Sequence, residues 1–213
     1  MNRQRIISGL IAIAVTTTAI LNPWLFIVFI CFLTVGGLYE FFYLIKKKKD
    51  IPIYSYTGIL IGALIPLSTY FKFELTKNWE LLFIVCAFLL ILMLQFARED
   101  NRNAVVGLST TLFGILYVSW FFSFIVKIYF LLPGLAGMQL VGFIVIVTKA
   151  GDMGALFVGS CFGRHPLMPK VSPNKSIEGL LGGLFFSSLL AVLFRPFLPP
   201  VPHFTFFYVA LMG

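Results

Sequence analysis

The run WLFIVFICFLTVGGLYEFFYLI, Trp24–Ile45, followed at once by KKKKD, Lys46–Asp50, decides the fold class. It is continuously apolar over slightly more than the roughly 20 residues a helix needs to cross a hydrocarbon core of about 30 Å. A strand of a membrane barrel would instead alternate apolar and polar residues over about ten positions. One ionisable residue, Glu40, interrupts the run, and four lysines close it. A basic cluster at the end of an apolar span marks a cytoplasmic loop and a contact with anionic headgroups.

Working outward, further apolar runs lie at about 6–21, 56–71, 79–97, 104–126, 137–160 and 180–194, and another begins near 204. The expected architecture is an all-α, polytopic membrane bundle of about seven to eight transmembrane helices, in a single membrane domain covering residues 1–213. The first and third runs are short for a full span. Hydrophobic residues make up 60% of the chain and charged residues 11%, where a soluble domain carries about a quarter charged. No small-residue cleavage site precedes Asn22-Pro23-Trp24, so the N-terminal run reads as a first membrane helix rather than a signal peptide. Cys31, Cys86 and Cys161 sit in apolar stretches, odd in number and without metal-like spacing, which excludes a disulfide framework and a zinc site.

The formal charge is +8. Nucleic acid is not the expected partner, because the basic residues fall in short loops between apolar runs. Alternate loops divide them eleven to four, with Lys149 inside a helix. The eleven-charge side holds Arg3, Arg5, the Lys46–Lys49 cluster, Arg98, Arg102, Arg164, Lys170 and Lys175. This bias puts the N-terminus and the 163–178 loop in the cytoplasm, as expected of a protein of the bacterial inner membrane. GILIG, Gly58–Gly62, has the spacing of a close helix contact and is the sequence feature that suggests a homodimer.

Charges within apolar runs are costly, about 3 kcal/mol at the centre of a span, and mark functional positions. Lys149 and Asp152 stand three apart, on one helical face and close enough to pair. They read either as an internal ion pair or as the wall of a polar cavity open to the cytoplasm. Gly151, Gly154 and Gly159 around them favour the cavity, because glycines let backbone or ligand approach closely. Glu40 lies about 9 Å from the cytoplasmic end of its helix, either snorkelling or lining the same cavity.

The stretch SPNKSIEG, Ser172–Gly179, packs two hydroxyls, an amide, a cation and an anion into eight residues. Ser172-Pro173 has the chemistry of a helix start, a capping hydroxyl and then a proline. Lys175 would then fall in the first turn, where the helix dipole disfavours a cation unless an anion binds nearby. Free backbone N–H groups, the Ser172 and Ser176 hydroxyls and Lys175 would form a phosphate cradle, with Arg164 and Lys170 adding charge. Glu178 beside a phosphate calls for an intervening cation. Mg²⁺ fits, with Asp152 as second carboxylate if the loop folds back over its helix. No Walker-type loop occurs, and His165 and His203 lack a second ligand at metal spacing and are assigned to packing or interface.

The segment DMGALFVGSCFGRHPLMPKVSPNKSIEGLLGG, Asp152–Gly183, resembles the central segment of the phosphatidate cytidylyltransferases (CDP-diacylglycerol synthases). That segment reads D-x-x-A-Y-x-x-G-R-x-F-G-[RK] and then S-P-x-K-T-x-E-G-x-x-G-G. Asp152, Ala155, Gly159, Phe162, Gly163, Arg164, Ser172, Pro173, Lys175, Glu178, Gly179, Gly182 and Gly183 match, and LFGILYVSW, Leu112–Trp120, is more weakly similar. The resemblance implies transfer of a cytidylyl group from CTP to phosphatidic acid, giving CDP-diacylglycerol and pyrophosphate with Mg²⁺ as cofactor. Asp152, Lys175 and Glu178 would then be catalytic, with Asp152 and Glu178 on the metal. Arg164, Lys170, Ser172, Asn174, Ser176 and Lys149 would bind substrate, and the lipid would enter sideways between helices.

The family's Tyr is Leu156 here, its Arg is Ser160 and its Thr is Ser176. The family's aspartate-rich C-terminal signature has no counterpart up to Gly213, so the sequence reads as a member truncated before it. Two alternatives remain: a CTP-dependent polyprenol or phytol kinase, and a non-catalytic membrane protein or transporter in which Lys149 and Asp152 couple solute movement. A CDP-alcohol phosphotransferase is disfavoured because its D-G-x-x-A-R motif is absent.

Overall fold

The computed structural model describes residues 3–48, 53–71, 79–97, 103–132, 134–169 and 172–198. The helices are α1 (Arg3–Leu21), α2 (Pro23–Lys48), α3 (Ser55–Tyr70), α4 (Trp79–Phe96), α5 (Ala104–Gly114), α6 (Phe121–Leu131), α7 (Ala136–Phe162) and α8 (Ile177–Phe194). A π-helical turn, Ile115–Trp120, joins α5 to α6 in one rod. Four helices are long and apolar enough to cross a bilayer: Pro23–Lys47, Ala104–Phe130, Ala136–Phe162 and Ile177–Phe197. About a third or less of each is buried within the protein, so most of their apolar surface is left for lipid. The chain is an all-α membrane protein in its main elements. The helix expected from about 204 lies outside the described residues.

One element was not foreseen. Strands β1 (Pro166–Met168) and β2 (Ser172–Ser176) form an antiparallel hairpin between α7 and α8. Pro166, Pro169 and Pro173 lack the N–H that a helix interior needs, and each biases its predecessor towards extended backbone. The helix start expected at Ser172 is therefore displaced. Ser176 is the N-cap of α8, extended at φ −113° and ψ 156°, and its Oγ accepts the Gly179 N–H at 3.1 Å. Lys175 lies on β2, before the cap, and not in the first helical turn.

The chain divides into two compact units near Leu131. In the first, Asn22 turns α1 into α2, its Oδ1 accepting the Trp24 N–H at 3.0 Å. One apolar cluster joins Tyr54, Ile61, Ile65, Ala87, Ile91 and Ile115; another joins Leu38, Phe42 and Ile53. The glycines of GILIG are occupied inside this unit: a Cβ on Gly58 would meet Phe42 and Thr111, and one on Gly62 would meet Leu38 and Ser119. Their spacing therefore reports packing within the chain. Glu40 is exposed on α2.

In the second unit, α7 and α8 run antiparallel in close contact. A Cβ on Gly183 would lie 3.1 Å from the Gly151 carbonyl oxygen, and one on Gly179 would lie 2.9 Å from that of Ala155. Such backbone approach is how membrane helices associate when burial of apolar surface gives no net drive. Phe143, Val147 and Ala191 close the far end, with Phe194 and Leu198 packed on them.

Candidate active site

The close crossing of α7 and α8 brings the last turns of one helix beside the first turn of the other, and the hairpin folds back over both. A cavity of about 460 Å³ results. Asp152, Ala155, Leu156, Gly159 and Ser160 line it from α7, Leu167, Asn174, Lys175 and Ser176 from the hairpin, and Gly179 and Leu180 from α8. Asp152, Asn174, Lys175 and Ser176, four of the residues singled out from sequence, thus meet around one space. The fold-back that Asp152 required is present.

Lys149 pairs with Asp152, Nζ to Oδ2 at 3.2 Å, with side chains 70% and 66% exposed. The i, i+3 spacing predicted this contact. So exposed a pair contributes little to stability, which leaves Asp152 as a cavity residue with a neighbouring cation. Lys149 is outside the cavity lining, as are Arg164, Ser172 and Glu178. Lys170 lies outside the described residues.

The expected cradle of free helix N–H groups is not formed. The Ile177 N–H donates to the His165 carbonyl at 2.9 Å and the Gly179 N–H donates to Ser176 Oγ. Having accepted that bond, the Ser176 hydroxyl keeps its own hydrogen to donate. The side-chain donors lining the cavity are therefore those of Lys175, Ser176 and Asn174.

Glu178 is committed elsewhere. Its Oε2 accepts the Arg164 N–H at 3.1 Å and the His165 N–H at 3.3 Å, and its Oε1 meets His165 Nδ1 at 2.6 Å. His165, assigned to packing or an interface from sequence, is an exposed ring hydrogen-bonded across the base of the hairpin. The pairing joins residues thirteen apart, so no local spacing signals it. The apolar lining residues Leu167 and Leu180 carried no sequence signal either, whereas Leu156 and Ser160 are positions where the sequence departs from the resembled motif.

Among the described residues no group of three His, Cys, Asp or Glu side chains is assembled for a metal. Mg²⁺ is commonly held by one or two carboxylates completed by substrate phosphates and water. Asp152, a hard oxygen donor at the cavity wall, fits that requirement. Glu178, with three donors already on its two oxygens, does not fit in this arrangement.

The family model described as "Cytidylyltransferase family" matches residues 3–213. The phosphatidate cytidylyltransferase of Bacillus subtilis is 25% identical over 194 residues, covering 91% of this chain and 71% of the relative. That of Haemophilus influenzae is 26% identical over 215 residues, covering 92% and 74%. That of Mycobacterium leprae is 33% identical over 125 residues, covering 54% and 39%. With a match running through both compact units and the cavity segment alike, the chain belongs to the cytidylyltransferase family.

Proposed function

We propose that this protein transfers the cytidylyl group of CTP to phosphatidic acid, giving CDP-diacylglycerol and pyrophosphate, as a nucleotidyltransferase of phospholipid biosynthesis. The observation that carries the reading is the convergence of Asp152 with Asn174, Lys175 and Ser176 on one cavity, within a chain of this family. A phosphate oxygen of phosphatidic acid attacks the α-phosphorus of CTP. The bond from that phosphorus to the bridging oxygen of the β-phosphate breaks, and pyrophosphate leaves with the electron pair.

No covalent enzyme intermediate is needed, so the protein's contribution is positioning and charge compensation. Lys175 supplies positive charge to a phosphate, and Ser176 and Asn174 donate hydrogen bonds to its oxygens. Asp152 would hold Mg²⁺, which when bound neutralises charge on the phosphates of both substrates. Leu156 and Leu180 line the cavity and are themselves 74% and 47% exposed, beside exposed Phe157 and Leu181. This apolar flank suits a lipid whose acyl chains stay in the bilayer while its headgroup reaches the polar wall.

The loop-charge asymmetry supports an inner-membrane location with the N-terminus and this cavity on the cytoplasmic side, where CTP is available. It also supports about seven to eight spans, the shorter helices included.

The test is product analysis with purified protein, phosphatidic acid in mixed micelles, Mg²⁺ and CTP labelled at the α- or γ-phosphate. Label from the α-phosphate should enter lipid while pyrophosphate is released. Transfer of γ-label to a lipid alcohol, with CDP as co-product, would replace this reading with a lipid kinase. Absence of any lipid product would remove it.

A further inference from the structure

We infer that His165 is a positioning residue that, with Glu178, clamps the base of the β1–β2 hairpin and thereby fixes Asn174, Lys175 and Ser176 over the cavity. The hairpin is too small to hold its own place. β1 has three residues, its register with β2 is irregular between Pro166 and Met168, and an isolated two-stranded hairpin is marginal in water. Three hydrogen bonds to one carboxylate secure its base: the backbone N–H groups of Arg164 and His165 on Oε2 and His165 Nδ1 on Oε1. The Ile177 N–H to His165 carbonyl bond closes the same ring of contacts. A carboxylate only accepts hydrogen bonds, so Nδ1 carries the proton that is shared.

The location gives the clamp its consequence. Glu178 sits two residues after Ser176 and three after Lys175, while its partners sit on the other side of the hairpin, at the end of α7. Loosening the clamp frees the two strand bases from each other, and the phosphate-binding side chains move with β2. His165 is 74% exposed, so it fills no core, and its removal leaves no cavity to confound the result. Glu178 is then a structural anchor of the loop and not a ligand of the metal.

The inference relies on the proposed cytidylyl transfer only for its kinetic readout. In full-length protein in detergent, His165→Ala should speed hydrogen exchange of the Arg164 and His165 amides at least tenfold. It should also raise KM for CTP or phosphatidic acid about tenfold, with a smaller change in kcat and no change in the half-saturating Mg²⁺ concentration. His165→Asn, which restores a short N–H donor, should recover most of both effects. Wild-type exchange and KM in His165→Ala would overturn the inference. So would a Glu178→Gln variant that raises the Mg²⁺ requirement while leaving those amides protected. If the wild-type protein makes no CDP-lipid, the functional reading fails, and the exchange measurement still decides the clamp.

Discussion

Gly179→Ala tests whether the close crossing of α7 and α8 holds the site together. A Cβ added at Gly179 would lie 2.9 Å from the Ala155 carbonyl oxygen, 3.1 Å from Ser176 Oγ and 3.2 Å from Gly159 Cα. Two of these neighbours are backbone of α7 and cannot rotate away, so relief requires the helices to separate by several tenths of an ångström. Overpacking of this kind costs about 1–3 kcal/mol, and the better helix propensity of alanine returns at most about 1 kcal/mol. The net of about 1 kcal/mol corresponds, for a chain of this length, to a melting temperature roughly 2–4 °C lower. Gly142→Ala is the internal control. It lies within α7 with nothing near its Cβ position, so the propensity gain should appear alone, as a rise of about the same size. Retention of monodisperse protein after stepped heating in detergent measures both. Movement of the two variants in the same direction would refute the reasoning. At a permissive temperature Gly179→Ala should also lose more activity than Gly142→Ala, because the added methyl presses on the capping hydroxyl of Ser176.

Three further outcomes are expected. Lys175→Ala removes the cavity's cation and should raise KM for a phosphate-bearing substrate about 10- to 100-fold, matching the roughly 1.5–3 kcal/mol of a hydrogen bond to a charged group; steady-state kinetics with each substrate varied in turn checks it, and an unchanged KM for both would remove Lys175 from the site. Asp152→Asn should raise the Mg²⁺ concentration needed for half-maximal rate and lower the maximal rate, as measured by Mg²⁺ titration. Ser176→Ala loses the cap of α8, about 1 kcal/mol, and should melt roughly 2–4 °C lower, whereas Ser176→Thr keeps the hydroxyl and should stay close to wild type.

The helices were legible because a bilayer allows so few alternatives. Twenty apolar residues in a row have no other way to satisfy their backbone in lipid, and the expected 24–45, 104–126 and 137–160 runs correspond to α2, the α5–α6 rod and α7. The Lys149–Asp152 pair was legible for the related reason that helical spacing fixes which side chains are neighbours. The hairpin was not. Its ten or so residues carry capping, turn and strand chemistry at once, and Ser172 and Ser176 are equally good caps in a one-dimensional reading. The three prolines, each opposing helix, make Ser176 the cap in the fold. GILIG shows a second limit: close packing within a chain and between chains demands the same small residues, so the motif cannot say which it serves. The π-helical turn at Ile115–Trp120 had no counterpart in periodicity, since one residue added to a turn barely alters an apolar run.

The displaced helix start changes how phosphate would be held. A helix beginning at Ser172 would have offered its dipole and a fan of free N–H groups to an anion. The observed start at Ile177 has two of its first three N–H groups already bonded, to His165 and to Ser176, so these donors are occupied in fixing the loop. Under the proposed function, recognition would pass to side chains on β2, and chiefly to Lys175, whose ammonium is a point charge on a flexible stem. Binding would then depend on where the hairpin stands. The α7–α8 crossing places the floor of the cavity, and the contacts at Glu178 place the strand that carries the charge. In that reading the glycines and the carboxylate of SPNKSIEGLLGG would serve its lysine, the glycines by letting α8 approach α7 and Glu178 by its hydrogen bonds to Arg164 and His165.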